Sequence, residues 1–258
     1  MSQIAAVFKP GSKALIAYLT VGYPDLEITE KAAIALARNG VDIIELGIPF
    51  SDPLADGTTI QRASHRALQH GTTPRQCLKI AEQIHREINT PLVFMTYYNP
   101  AYHFGLDAFC RQCADAGVSG LIVPDLPPEE GPALEAVAQK NKLDLIYLLA
   151  PTSSDERIRL VAEHSHGFIY LVSVTGVTGA RDRLPENLDG FIARVRKQTA
   201  KPLCVGFGVS KAEQAQQLAK IADGVIVGSR IIQLLEADAS LKELVDFTRQ
   251  LRRALDNL

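Results

Sequence analysis

Eight short apolar runs, each followed by a segment of helical periodicity, constrain this chain most. The runs span Ala14 to Val21, Asp42 to Leu46, Leu92 to Thr96, Gly120 to Val123, Leu145 to Leu149, Phe168 to Ser173, Leu203 to Val205 and Gly224 to Val227. Most are continuous in Ile, Leu and Val instead of alternating with polar residues. That is the pattern of strands buried on both faces. A helix after each strand implies parallel neighbours joined by right-handed crossovers. Eight such units in 258 residues predict a (β/α)8 TIM barrel with extra N-terminal and loop helices. A doubly wound open sheet is the competitor. Its fingerprint G-x-G-x-x-G is absent from the first strand's loop, which reads Val21-Gly22-Tyr23-Pro24-Asp25. No linker or low-complexity tract divides the chain, so residues 1–258 are expected to form one domain.

The predicted helices are Leu26 to Arg38, Thr59 to Gln69, Pro74 to Ile88, Leu106 to Ala116, Glu129 to Lys140, Ser154 to Glu163, Leu188 to Gln198 and Lys211 to Lys220, with helix from the eighth strand onward. A net charge of −2 gives no reason to expect nucleic acid or an anionic membrane as partner. No apolar run reaches the ~20 residues of a membrane span. Met1 to Val7 lacks the basic and apolar regions of a secretory signal, and four cysteines are too few for a disulfide scaffold. A cytoplasmic protein is expected.

A barrel carries its chemistry at the carboxyl ends of its strands. In the second strand one acid, Glu45, interrupts the run Ile43-Ile44-Glu45-Leu46. Burial disfavours its charge and moves its pKa toward working pH, as proton transfer needs. A structural acid paired with a distant base is the other reading. Asp56 follows in the loop Pro49 to Gly57. Thr96 to Asn99 follow the third strand and Asp125 the fourth. Tyr170, in the sixth strand, reads as core packing on residue type alone.

Three glycine-bearing loops follow the last strands: Thr175-Gly176-Val177-Thr178-Gly179, Gly206-Phe207-Gly208-Val209-Ser210 and Gly228-Ser229-Arg230. Each alone could be a turn. Together, with a helix opening at Ser229, they offer backbone N–H groups to a phosphate.

Other chemistries lack their parts. No strand-end lysine is available for a Schiff base, since Lys201 precedes the seventh strand and Lys211 is beyond its loop. His164-x-His166 precedes the sixth strand and reads as a solvated turn, so no metal site is expected. Cys110-x-x-Cys113 lies in a helical pattern and reads as two packed thiols. Arg249, Arg252 and Arg253 read as a solvated helix face.

The segment Glu45-Leu46-Gly47-Ile48-Pro49-Phe50-Ser51-Asp52-Pro53-Leu54-Ala55-Asp56-Gly57 resembles the signature of the tryptophan synthase alpha subunit family. Met95-Thr96-Tyr97-Tyr98-Asn99-Pro100, Val123-Pro124-Asp125-Leu126-Pro127 and the glycine loops resemble it too, in the same order along the whole chain. The resemblance implies cleavage of indole-3-glycerol phosphate to indole and glyceraldehyde 3-phosphate. It makes Glu45 the general acid/base and Asp56 the acid that holds the indole N–H. It places Tyr170, Thr178, Phe207 and Tyr97 around the substrate, and Gly179, Gly208, Gly228 and Ser229 at its phosphate. No cofactor is expected in this chain. A pyridoxal-phosphate-dependent beta subunit is the expected partner in an alpha2beta2 assembly, with Pro53, Leu54, Asn99, Pro100 and Pro127 as contacts. Thr58 departs from the proline common after Asp-Gly. Two other readings stay open here: a phosphosugar isomerase or indole-glycerol-phosphate synthase, and a barrel that only binds a phosphorylated ligand or partner.

Overall fold

In a computed structural model, residues 2–172, 187–206, 208–238 and 240–258 are described. The first strands and helices are β1 (Ala14–Thr20), α1 (Leu26–Arg38), β2 (Ile43–Gly47), α2 (Thr58–Gln69), α3 (Pro74–Glu87) and β3 (Leu92–Met95). The middle holds α4 (Tyr98–Phe104), α5 (Leu106–Asp115), β4 (Val118–Ile122), α6 (Pro132–Lys140), β5 (Asp144–Ile146), β6 (Leu148–Leu149) and α7 (Asp155–His164). The last part holds β7 (Ile169–Val172), α8 (Leu188–Arg196), β8 (Leu203–Gly206), α9 (Ala212–Ala219), β9 (Gly224–Val227), α10 (Ser229–Ala237) and α11 (Lys242–Asp256). Every strand pairing is parallel, in the order β5-β4-β3-β2-β1-β9-β8-β7-β6. The ends of this order, β5 and β6, are consecutive in the chain, so the sheet curls into the expected barrel.

The predicted fifth strand is thus two strands broken at Tyr147. The Tyr147 N–H donates to Ser165 Oγ at 3.1 Å instead of to a neighbouring strand. A serine before β7 thereby interrupts the ladder, which strand propensity cannot reveal. A further element is α4, a loop helix whose bounds are not assigned from the sequence. Asp125 Oδ1, from the loop after β4, accepts the N–H of Tyr98 at 2.9 Å and supplies an acceptor at the helix start.

Strand alternation sorts the core into two. Ile16, Ile43, Val93, Ile122, Ile146 and Cys204 belong to an inner cluster, joined from the N-terminus by Ile4. The alternate residues, such as Leu15, Ile44, Phe94 and Leu121, pack outward against the helices. Side chains two residues apart on a strand share a face. Tyr18, Glu45, Met95 and Tyr170 therefore stand one layer above the inner apolar cluster, toward the carboxyl ends. This is why one acid in an apolar run becomes a buried site residue.

Two surface readings change. Arg252 is not on a solvated face: its side chain is 19% exposed, Nη1 donates to Asp42 Oδ2 at 2.9 Å and Nη2 to the Lys13 carbonyl at 3.1 Å. It ties α11 to the amino-end side of β1 and β2. His164 is not in a solvated turn either. It ends α7, half-buried, with Nδ1 2.9 Å from Glu135 Oε1, which also accepts the Tyr147 hydroxyl at 2.6 Å. Cys110 and Cys113 are buried free thiols in α5, as expected. No helix among the described residues is long and apolar enough to cross a membrane.

Candidate active site

At the carboxyl ends of the strands opens a cavity of about 620 Å³. Its walls include Glu45 and Asp56 on one side and Gly206, Gly208, Gly228 and Ser229 on another. Tyr18 and Tyr170 enter it from β1 and β7, and Leu126, Pro127 and Leu149 add apolar surface. The wall mixes apolar residues with Gln61, Asp125, Ser153 and Arg157 besides the two acids, and suits a ligand with an apolar body and a charged end.

Glu45 is the third residue of β2 and fully buried. Among the described residues neither carboxylate oxygen has a hydrogen-bond partner. Burial, and then the charge of Asp56, push its pKa up to about 8. At neutral pH the group is therefore mostly protonated and able to donate. Asp56 is raised to about 6 by burial, while the Tyr97 hydroxyl pulls it back. It is then mostly ionised near pH 7. Two neighbouring carboxyls with separated proton affinities form an acid and an anion in one cavity.

The Asp56 loop is held from behind. Tyr97 precedes α4, and its hydroxyl accepts the Ala55 N–H at 2.9 Å. Its ring packs on Phe50 with centroids 5.3 Å apart. Gln61, on α2, donates to the Asp56 carbonyl at 2.9 Å. Tyr97, expected against substrate, stands behind the loop instead of in the cavity wall. Thr58 occupies the first position of α2, where proline would also fit.

Across the cavity, Gly208 follows β8 with φ +66°, a backbone that favours glycine. Gly228 precedes Ser229, the first residue of α10. The first N–H groups of that helix lack helical acceptors and carry the positive end of its dipole. Gly208, Gly228 and Ser229 are thus brought together in one wall, as the sequence suggested. Thr178, Gly179 and Phe207 lie outside the described residues.

Of the expected partner contacts, Leu54 and Pro127 line the cavity; Leu54 is 92% exposed and Asn99 is exposed, while Pro53, Pro100 and Pro127 are half-buried. Lys201 is on the opposite face, where Nζ donates to the Glu163 carbonyl at 3.2 Å, so it supplies no amine to the cavity. Among the described residues no cluster of three His, Cys, Asp or Glu could hold a metal ion. Sequence reasoning missed Tyr18 as a site residue. The available signal was its position two residues after Ile16 on the inward face of β1.

The model of the tryptophan synthase alpha chain family matches residues 4–256. The chain belongs to the tryptophan synthase alpha chain family. A relative from Dehalococcoides mccartyi, named tryptophan synthase alpha chain, is 59% identical over 99% of this chain and 100% of its own length. Another of that name from Gloeobacter violaceus is 48% identical, covering 98% of this chain and 94% of its own. A solved tryptophan synthase from Mycobacterium tuberculosis superposes with a TM-score of 0.93 at 40% identity, covering 99% of this chain and 98% of that one. The alpha subunit from Legionella pneumophila gives 0.92 at 38% identity, with both chains covered completely. The family's reaction is the lyase step on indole-3-glycerol phosphate, and a beta subunit is its partner.

Proposed function

We propose that this chain cleaves indole-3-glycerol phosphate to indole and glyceraldehyde 3-phosphate, with Glu45 as general acid/base and Asp56 as its anionic counterpart. The observation that carries the assignment is Glu45 itself: fully buried, without a hydrogen-bond partner among the described residues, and in the wall of a cavity shared with Asp56.

Protonated Glu45 gives its proton to indole C3, converting the ring to its indolenine tautomer. Asp56 accepts the indole N–H and stabilises the positive charge that develops there. Glu45, now a carboxylate, takes the proton of the glycerol hydroxyl next to the scissile bond. The C–C bond breaks, its electron pair restores the aromatic indole, and the hydroxyl carbon becomes the aldehyde. Glu45 spends one proton on C3 and recovers another from the hydroxyl, so it ends the turnover protonated. No step calls for a cofactor of this chain's own.

The phosphate is held by N–H groups at Gly208, Gly228 and Ser229, joined by Gly179. The helix N-terminus favours an anion without a lysine or arginine. Tyr170 stands beside Glu45, whose charge helps push its phenol up after burial. Phe207 and Thr178 complete the substrate's surroundings, and Tyr97 acts through Asp56.

The beta subunit, carrying pyridoxal phosphate, docks on the cavity rim through Pro53, Leu54, Asn99, Pro100 and Pro127 in a cytoplasmic alpha2beta2 assembly. The whole alpha chain acts as one barrel domain. A rim contact at Leu54, two residues before Asp56, gives docking a direct route to catalysis. A synthase-type reaction has no strand-end lysine here, so the lyase reading stands above it. The test is indole release by the purified chain, alone and titrated with beta subunit. Release that increases on titration supports the reading. No release, or equal release from Glu45→Gln, overturns it.

A further inference from the structure

Among the described residues no hydrogen-bonding group reaches the Glu45 carboxyl. Its role as acid and then base requires it to be ionised once in each turnover, close to an already ionised Asp56. A hydrogen bond to the ionised form favours ionisation of a buried carboxyl; Asp56 has the Tyr97 hydroxyl, and a neutral donor within reach of both acids would serve Glu45 as well.

Tyr18 is placed for this. It stands opposite Glu45 in the register of β1 and β2, and opens on the same cavity as both acids. Its hydroxyl is 3.2 Å from Thr20 Oγ1, which follows on the same face of β1. The phenol occupies space that exists because residue 47 is glycine: a Cβ there would be 2.2 Å from the Tyr18 oxygen. Tyr170 is seated in the same way, with its oxygen 2.6 Å from where a Gly206 Cβ would stand. The registers agree as well, since Thr20 pairs with Gly47 and Val172 with Gly206. Each phenol therefore reaches over a glycine two positions along the neighbouring strand.

We propose that Tyr18 is a positioning residue for the two acids: its phenol, oriented by Thr20 and seated over Gly47, is the shared neutral donor that lets Glu45 and Asp56 carry charge together. This rests on the catalytic reading of Glu45 and Asp56 given above. With Thr20 donating to the phenol oxygen, the phenol hydrogen is left for a carboxylate.

The surroundings favour a neutral phenol. Burial raises its pKa first, and the charges of Asp56 and Glu45 raise it further, with a smaller contribution from Tyr97. Among the described residues the remaining neighbours in its cluster are the phenol Tyr23 and the uncharged Ile60 and Ala63 on α2, Ile232 on α10 and Met95 on β3, with Gly228 after β9. Tyr170, on β7, is itself a phenol driven up by burial. Tyr18 therefore keeps its proton across the working range and can only donate or accept hydrogen bonds.

The experiment is the pH profile of kcat/KM for indole-3-glycerol phosphate cleavage. The variants are Tyr18→Phe, Thr20→Val and Thr20→Ser, with Tyr23→Phe, a phenol of the same apolar cluster outside the described cavity wall, as the control. Loss of the shared donor disfavours each ionisation. Both limbs of the Tyr18→Phe profile should move upward, by about half a pH unit or more. Thr20→Val should move both limbs the same way by less. Thr20→Ser, which keeps the hydroxyl, and Tyr23→Phe should superimpose on the parent. A folded Tyr18→Phe protein with unmoved limbs overturns the proposal, even if its rate is lower. If that variant does not fold, unmoved limbs in Thr20→Val overturn it. A parent without indole release overturns the lyase reading and this inference together, whereas an active parent with unmoved variant limbs overturns this inference alone.

Discussion

The backbone N–H of Ala55 donates to the hydroxyl of Tyr97 across 2.9 Å, tying the loop after β2 to the end of β3. The same hydroxyl favours the ionised form of Asp56, one residue on. One phenol thus fixes both the position and the charge of the second acid. Tyr97→Phe should leave the Ala55 N–H without its acceptor and raise the Asp56 pKa above about 6. A hydrogen bond to a charged group is worth roughly 1.5–3 kcal/mol, so kcat/KM should fall about tenfold on the acid side of the profile and about twofold near pH 7. The acid limb should move up by about one unit while the base limb, set by Glu45, stays in place. Profiles of indole release against pH check this, and an unmoved acid limb would count against the role given to Tyr97.

Glu45→Gln retains size and polarity but cannot transfer a proton. General acid–base catalysis contributes about 10²–10⁴-fold, and at least that loss is expected. For the parent, protonated Glu45 with ionised Asp56 exists mainly between about pH 6 and about pH 8, where activity should peak. Near-parental turnover by a folded Glu45→Gln protein would remove Glu45 from the mechanism.

The two phosphate-side glycines should respond differently. At Gly208 the backbone has φ +66°, so Gly208→Val strains the chain and should lower both stability and substrate affinity. Gly228 has an ordinary negative φ, and a Cβ there would meet Tyr18 Cβ at 3.4 Å, an ordinary contact. Gly228→Ala should therefore fold nearly as the parent does, yet raise KM by crowding the approach to the α10 N-terminus. Thermal melts and steady-state kinetics on both variants separate the two effects. An unchanged KM in Gly228→Ala would place the phosphate elsewhere.

Arg252 ties α11 to Asp42, the Lys13 carbonyl and Asp256. Arg252→Met keeps most of the apolar stem but removes these bonds, and should destabilise by about 2 kcal/mol, or roughly 4–8 °C in Tm. Indole release should be unchanged, because the cluster lies at the amino end of β1 and β2. An unchanged melting temperature would show that these bonds contribute nothing net.

The barrel was legible because its signals are local. Continuous apolar strands and the helical periods between them carry their own burial pattern, and Glu45 stood out as the one acid in the run Ile43 to Leu46. What escaped depends on distant partners. The α4 helix is short and contains Pro100, and Asp125 from another loop caps its start. The break at Tyr147 reflects Ser165, 18 residues away. Arg252 looked solvated because its partners Asp42 and Lys13 are more than 200 residues earlier. Tyr18 did not stand out, because a tyrosine in an apolar strand gives no sign of what its hydroxyl faces. Its relation to Gly47 emerges only from strand register.

Glu45 should also leave a signature in stability. Its pKa is about 8 in the folded protein, against an ordinary value of 4.5. Below pH 4.5 the carboxyl is protonated in both states and imposes no ionic penalty. Between the two values the folded protein retains a proton that the unfolded chain has lost, so stability falls as pH rises through that window. Above about pH 8 the penalty is fully developed and constant. Asp56 acts in the same direction over the lower window from 3.8 to about 6. Glu45→Gln removes the larger of these contributions. Its stability relative to the parent should therefore rise from pH 5 to pH 8, by on the order of 2–4 kcal/mol. A buried amide without partners has its own desolvation penalty, so the sign of the difference at a single pH decides little. Its slope is diagnostic, because the amide does not titrate. Urea unfolding of both proteins at several pH values gives that slope directly. Parallel curves for parent and variant would mean that Glu45 titrates near its ordinary value, and the acid would then lack the proton that the mechanism requires at neutral pH.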